Sequence, residues 1–206
     1  LGGGGSSNQM FQAIERNKDK GKLVVIATGN DNKDIDRQPS YPAAYPSDGI
    51  LAVSAYNGKG DLAGFSNYGQ TGADIAAPGE DIVSTVPNNG YDSFSGTSMA
   101  TPITAGIAAL LWSAGPNMKA SDVKKELLAT ADRGNFSKPI AENRKVNIEK
   151  ALKVLEPKAS VANAMKGGNI SLINADSFEF QVKNDNPYTE IKKLEVFNGT
   201  ELIGMA

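Results

Sequence analysis

The sequence predicts an α/β protein built on a parallel sheet, followed by the opening of a β-sandwich-like, all-β module. Three observations carry this expectation. Short apolar runs alternate with helix-period segments as far as residue 155, the pattern of repeated strand–helix units. The first run, residues 23–27, is continuously apolar, as in a parallel strand covered on both faces. Beyond Pro157 the helix-period segments stop, and strand-like runs separated by turn residues take over.

In chain order, residues 8–20 predict a surface helix. Met10, Phe11 and Ile14 share one face, charged residues take the other, and Gly21 supplies a stop. Residues 23–27 predict the first buried strand. Residues 50–55, 74–77 and 82–86 predict further strands, with Asn57-Gly58-Lys59-Gly60 and Ala77-Pro78-Gly79 as turns. Residues 99–114 are apolar almost all round and predict a buried central helix. Residues 121–131 predict a helix with Ser121 as N-cap, Asp122 in the first turn and an inward stripe of Val123, Leu127, Leu128 and Ala131. Residues 147–155 predict a last short helix. After it come strand-like runs at 160–164, 170–173, 178–182 and 191–197, separated by Gly167-Gly168, Asn184-Asp185-Asn186-Pro187 and Asn198-Gly199. Fewer residues remain there than the roughly 100 of a complete sandwich. The expected division is therefore a first domain at 1–156 and the start of a β module at 157–206.

Composition narrows the chemistry. The 206 residues carry 21 Lys and Arg against 23 Asp and Glu, a net charge of −2 that gives no general attraction to nucleic acid. No apolar run reaches the roughly 20 residues of a transmembrane helix, so none is expected. With no Cys there are no disulfides, thiolate metal sites or Cys nucleophiles, and no phosphate-loop pattern is completed. With no His, any catalysis that needs the commonest general base must take it from outside these residues.

The segment that carries chemistry is Ser95-Gly96-Thr97-Ser98-Met99-Ala100-Thr101-Pro102. A Ser at the start of an apolar helix sits at the positive end of the helix dipole, where N–H groups lack helical partners and can face a developing oxyanion. Pro102 is expected within the first turn, where it is tolerated. On local physics alone, Thr97 or Ser98 as a plain helix cap is the commoner case.

The string Gly-Thr-Ser-Met-Ala-Thr-Pro resembles the nucleophile motif of the subtilisin-like serine proteases, the subtilases or peptidase family S8. Val24-Val25-Ile26-Ala27-Thr28-Gly29-Asn30 resembles their strand ending in the oxyanion Asn. Tyr41-Pro42-Ala43, Phe65-Ser66-Asn67-Tyr68-Gly69, Ala76-Ala77-Pro78-Gly79 and Val146-Asn147-Ile148 follow in the family's order. The resemblance implies the C-terminal part of a three-layer subtilisin-like fold, its N-terminal part missing. It implies Ser98 as nucleophile, with the Asn30 amide and the Ser98 N–H as oxyanion donors. Losing such an Asn in a subtilisin costs about 10²–10³ in turnover. As a turn residue after a strand, Asn30 has a second, plainer reading.

The resemblance also implies that Leu1, Gly2 and Gly3 form an extended strand binding peptide substrate, with Ala27, Thr28 and Gly29 as the opposite wall of the pocket. Gly2 to Ser6 also reads as a flexible linker. The catalytic Asp and His are expected upstream of Leu1, so this chain alone is expected to be inactive. A decayed, non-catalytic scaffold or surface-binding protein is the alternative. The resemblance implies protein or peptide substrates, a location outside the cell or on its surface, and calcium as a stabilising ion without assigned ligands. Asp31, Asp34 and Asp36 read as a solvated loop rather than its site.

Overall fold

The computed structural model describes residues 3, 5–155, 159–162, 181–184, 187–188, 195–198 and 201–205. The Ser7 hydroxyl accepts the Met10 N–H and opens α1 (Asn8–Asp19); Gly21, at φ +69°, follows its end. Then come β1 (Val24–Ala27), β2 (Ile50–Tyr56) and β3 (Ile75–Pro78). Next are β4 (Ile82–Val86), β5 (Gly90–Phe94), α2 (Thr97–Ala114) and α3 (Ala120–Ala129). The first unit closes with β6 (Asp132–Arg133), a 3-10 turn (Ala141–Asn143), β7 (Arg144–Lys145) and α4 (Ile148–Lys153), which the Asn147 side chain caps.

Five strands form one sheet in the order β1-β2-β3-β7-β6, all pairs parallel except β6–β7. Val24 stands opposite Ile50, and Val53 opposite Ile75. The α/β class expected from the apolar runs is the one observed. β2 is buried from Ile50 to Ala55, as an interior parallel strand covered on both faces must be.

The two faces follow from the period-2 alternation. Ile26, Ile50 and Ala52 pack with Ile14 and Phe11 of α1, joined by Ala43 and Tyr45. Ala55, three residues past Ala52, points to the other face. There a Cβ built on Gly79 would meet both Ala55 Cβ and Ala100 Cβ of α2. The sheet is thus sandwiched between α1 and α2.

The strand expected at 82–86 is present as β4, which pairs with β5 in a separate hairpin rather than in the five-stranded sheet; Asn88 and Asn89 of its three-residue loop have positive φ. Three expectations need correction. The central helix is not buried all round, since Pro102, Gly106, Ala109 and Leu110 are exposed among the described residues. It starts at Thr97, so Pro102 lies beyond the first turn and leaves the Ser98 carbonyl without its helical N–H donor. Ser121 does not cap α3; the helix begins one residue earlier, and the Asp122 carboxylate accepts the Lys119 N–H at 2.8 Å. The two-residue strands β6 and β7 are too short for any periodicity to signal.

The chain divides into two compact units, Leu1–Ala114 with Met118–Val154 and Gly115–Asn117 with Leu155–Ala206. In the second, β8 (Ala159–Ala162) pairs antiparallel with β9 (Gln181–Asn184), and β10 (Glu195–Asn198) with β11 (Glu201–Met205). The strand expected at 170–173 lies outside the described residues. Among the described residues no helix is long and apolar enough to cross a membrane.

Candidate active site

Asn30 follows the end of β1 and Ser98 is the second residue of α2, so both stand at the carboxyl ends of parallel strands, where open α/β sheets bind ligands. Backbone bonds bring α2 to that edge. The Gly79 N–H donates to the Tyr56 carbonyl at 3.0 Å, and the Gly96 N–H to the Gly79 carbonyl at 2.7 Å. Gly79 must lack a side chain, because a Cβ there would lie 2.5 Å from Ala55 Cβ and 2.9 Å from the Gly96 carbonyl.

The Asn30 amide has one orientation. Its Oδ1 accepts the Thr97 N–H at 2.9 Å and the Thr97 hydroxyl at 2.8 Å. An N–H can only meet the oxygen, so the Nδ2 end is turned away from Thr97, its donors without an acceptor among the described residues. A Cβ built on Gly96 would lie 3.2 Å from Asn30 Nδ2 and 3.6 Å from Ser98 N, so both donors border the same space. Among the described residues no acceptor meets the Ser98 N–H, and no group bonds the exposed Ser98 hydroxyl. Ser98 therefore caps nothing. The Thr97 hydroxyl also leaves the helix alone, accepting the Gly29 N–H at 3.3 Å instead.

A cleft of about 420 Å³ opens between these groups, with Gly3, Ala27 and Gly29 in its walls beside Asn30, Thr97 and Ser98. Of the residues expected to bind substrate, these three line it. Thr28 does not: its side chain is fully buried and bonds Ser54 Oγ and the Asn67 carbonyl. Leu1 and Gly2 lie outside the described residues. The Gly3 N–H and C=O are both engaged by Tyr41, at 2.9 and 2.8 Å, so Gly3 offers a wall rather than free backbone for pairing.

The far wall, at Gln38 to Ser40, follows a loop that Asp36 anchors. Burial alone would raise the Asp36 pKa. The Thr71 hydroxyl and the N–H groups of Thr71, Gly72 and Gln70 outweigh it and hold the carboxyl below its ordinary value. Asp34 accepts the Asp36 N–H and pairs with Arg37, while Asp31 pairs with Lys33. Among the described residues no three acidic side chains converge, so the calcium implied by the resemblance finds no carboxylate cage there.

Two residues of this site carry roles that sequence reasoning did not assign. Thr97 was read only as a cap. Asn67 stood inside the motif Phe65-Ser66-Asn67-Tyr68-Gly69 with no role of its own. Both stand among polar, Gly or Tyr neighbours, Thr97 between Gly96 and Ser98 and Asn67 between Ser66 and Tyr68, so nothing local says what either bonds.

The subtilase family model matches residues 1–156. Thermitase of Thermoactinomyces vulgaris is 38% identical over 152 residues, which cover 74% of this chain and 52% of that protein. The cell wall-associated protease of Bacillus subtilis (strain 168) is 45% identical over 114 residues, 55% of this chain and 12% of that one. Among solved structures, a protease of Pseudoalteromonas arctica PAMC 21717 superposes with a TM-score of 0.68 at 29% identity, covering 75% of this chain and 49% of that one. The chain thus spans about half, or less, of the length of these relatives. A matched family model over most of the chain, together with the superposed sheet and helices, establishes that the chain belongs to the subtilase family.

Proposed function

We propose that this chain is the nucleophile-bearing part of a serine endopeptidase. The observation that carries the reading is the Asn30 amide, its oxygen tied to Thr97 and its N–H groups bordering the same space as the Ser98 N–H. Ser98 Oγ attacks the scissile carbonyl carbon as a His outside these residues takes its proton. The Asn30 amide and the Ser98 N–H then donate to the oxyanion. The C–N bond breaks, the amine leaves with that proton, and water hydrolyses the acyl-enzyme by the same steps.

The His and its Asp come from a segment outside these residues. The total absence of His supports this, as does the short span of the chain against its relatives. So does an apolar hollow of about 690 Å³ beside β1, which is an edge strand among the described residues. Protein or peptide substrates lie in the cleft against Ala27, Gly29 and Gly3. Residues 1–156 are the catalytic portion. The likeness to a cell wall-associated protease supports a place outside the cell or on its surface.

The test is peptide hydrolysis by the intact natural polypeptide containing these residues, with and without Ser98→Ala, beside the 206-residue chain alone. Activity lost in Ser98→Ala and absent from the chain alone is expected. Activity surviving Ser98→Ala overturns the nucleophile. Activity in the chain alone that disappears in Ser98→Ala overturns the external base.

A further inference from the structure

We propose that Asn67 is the positioning residue of this site, a buried amide clamp that sets where Asn30 presents its donors. The proposal rests on Asn30 being an oxyanion donor.

Asn67 is fully buried. Its Nδ2 donates to the Thr28 carbonyl at 2.9 Å, and its Oδ1 accepts the N–H groups of Asp31 and Lys33, both at 3.0 Å. Its own N–H donates to the Gly29 carbonyl at 2.9 Å. One residue thus grips the chain at 28 and 29 on one side of Asn30 and at 31 and 33 on the other. Asn30, the residue between the grips, is left exposed to the cleft.

The clamp is itself anchored. The Asn67 carbonyl accepts the hydroxyls of Ser54 at 2.9 Å, Ser66 at 3.0 Å and Thr28 at 3.3 Å, and the Ser66 Oγ accepts the Ala55 N–H at 3.0 Å. Ser54 and Ala55 belong to β2, the fully covered strand of the sheet. The amide's position is therefore referred to a buried interior strand of the sheet. Gly29 completes the arrangement. With φ at +107°, a Cβ there would come within 2.5 Å of Asn67 Nδ2, so the amide fills the space a side chain would need.

Thr97 holds the Asn30 oxygen from the α2 side, and Asn67 holds the Asn30 backbone from the sheet side. A displacement of about 1 Å at a catalytic group can cost on the order of 10²-fold in rate. The effect of loosening the clamp is bounded by the roughly 10²–10³-fold loss on removing the donor itself.

The experiment uses the intact natural polypeptide and measures kcat and KM for wild type, Asn67→Ala, Asn67→Asp, Asn30→Ala and the Asn67→Ala/Asn30→Ala double variant. Asn67→Ala is expected to lower kcat about 10- to 100-fold, with KM moving less than about 3-fold. In the Asn30→Ala background the same change is expected to cost little, because the group it positions is gone. Asn67→Asp keeps an acceptor for the Asp31 and Lys33 N–H groups and is expected to recover part of kcat. An undiminished Asn67→Ala effect in the Asn30→Ala background overturns the proposal and makes Asn67 merely structural. An Asn30→Ala variant with unchanged kcat refutes the oxyanion reading instead, and the positioning role falls with it. Hydrogen exchange reads the clamp independently of activity. The amides of Asp31 and Lys33 are expected to exchange faster in Asn67→Ala and less so in Asn67→Asp. Unchanged exchange at both overturns the clamp whatever the kinetics show.

Discussion

Replacing Thr97 with Val isolates the contact that orients the Asn30 amide. Thr97 is 1% exposed, and Val keeps nearly its shape, so packing changes little. The lost hydroxyl accepts the Gly29 N–H at 3.3 Å and donates to Asn30 Oδ1 at 2.8 Å. Asn30 Oδ1 keeps the Thr97 N–H, but the Gly29 N–H loses its acceptor. Gly29 is only half-buried, in the wall of the cleft, so its lost acceptor costs less than the about 1–3 kcal/mol of a fully buried donor, on the order of 1 kcal/mol. For a unit of about 150 residues, such a loss lowers Tm by roughly 2–4 °C. Catalytically, Asn30 retains one of its two anchors, so the fall in kcat is expected near 10-fold, below the roughly 10²–10³-fold loss of the donor itself. Thermal unfolding reads the first effect and steady-state peptide hydrolysis by the intact polypeptide reads the second. Thr97→Ser keeps both hydrogen bonds and is the control. If Val leaves Tm and kcat unchanged, or if Ser is as damaging as Val, the hydroxyl does not hold the amide.

Asn30→Ala is expected to lower kcat by about 10²–10³-fold with KM little altered, since its donors meet only the developing oxyanion; an equal effect on KM would point to ground-state binding. Gly79→Ala forces a Cβ against Ala55 and the Gly96 carbonyl, and overpacking of this kind costs about 1–3 kcal/mol, read as a lower urea midpoint. Asp36 contributes stability that depends on pH. Its folded-state pKa is held below the ordinary 3.8, so the contribution is complete above that value and is lost as pH falls through the lower folded one. Asp36→Asn is therefore expected to flatten the acid side of a stability–pH curve, and an unchanged acid slope refutes the role of its hydrogen bonds.

Much of the fold was legible because its signals are local. β1 and β3 are short apolar runs, β2 is one interrupted only by Ser54, and α1 shows a plain one-sided stripe between Ser7 and Gly21. The gaps and errors arise where local signals compete. Residues 82–86 have strand composition, and nothing within them says whether they join a sheet or fold back on residues 90–94. Residues 99–114 are uniformly apolar, which predicts burial, yet periodicity cannot say which face the described chain leaves open. At 119–122 both Ser121 and Asp122 are good helix starters, and the reach of the Asp122 carboxylate back to Lys119 decided between them.

Sequence alone determined the α/β class, whereas Ser98 and Asn30 stand out only through the resemblance of their motifs to those of the subtilases, since a strand ending in Gly-Asn and a helix opening on Gly-Thr-Ser also have plainer local readings. Only the tertiary structure decided what these residues can do. The direction of the Asn30 amide is set by Thr97, 67 positions away, and the course of its loop by Asn67, 36 positions from Asp31. Hydrogen bonds of that range arise when the carboxyl ends of β1 and β2, Gly79 and the first turn of α2 meet at one edge of the sheet. No periodicity in the chain records that meeting, since it is a property of packed layers rather than of neighbouring residues.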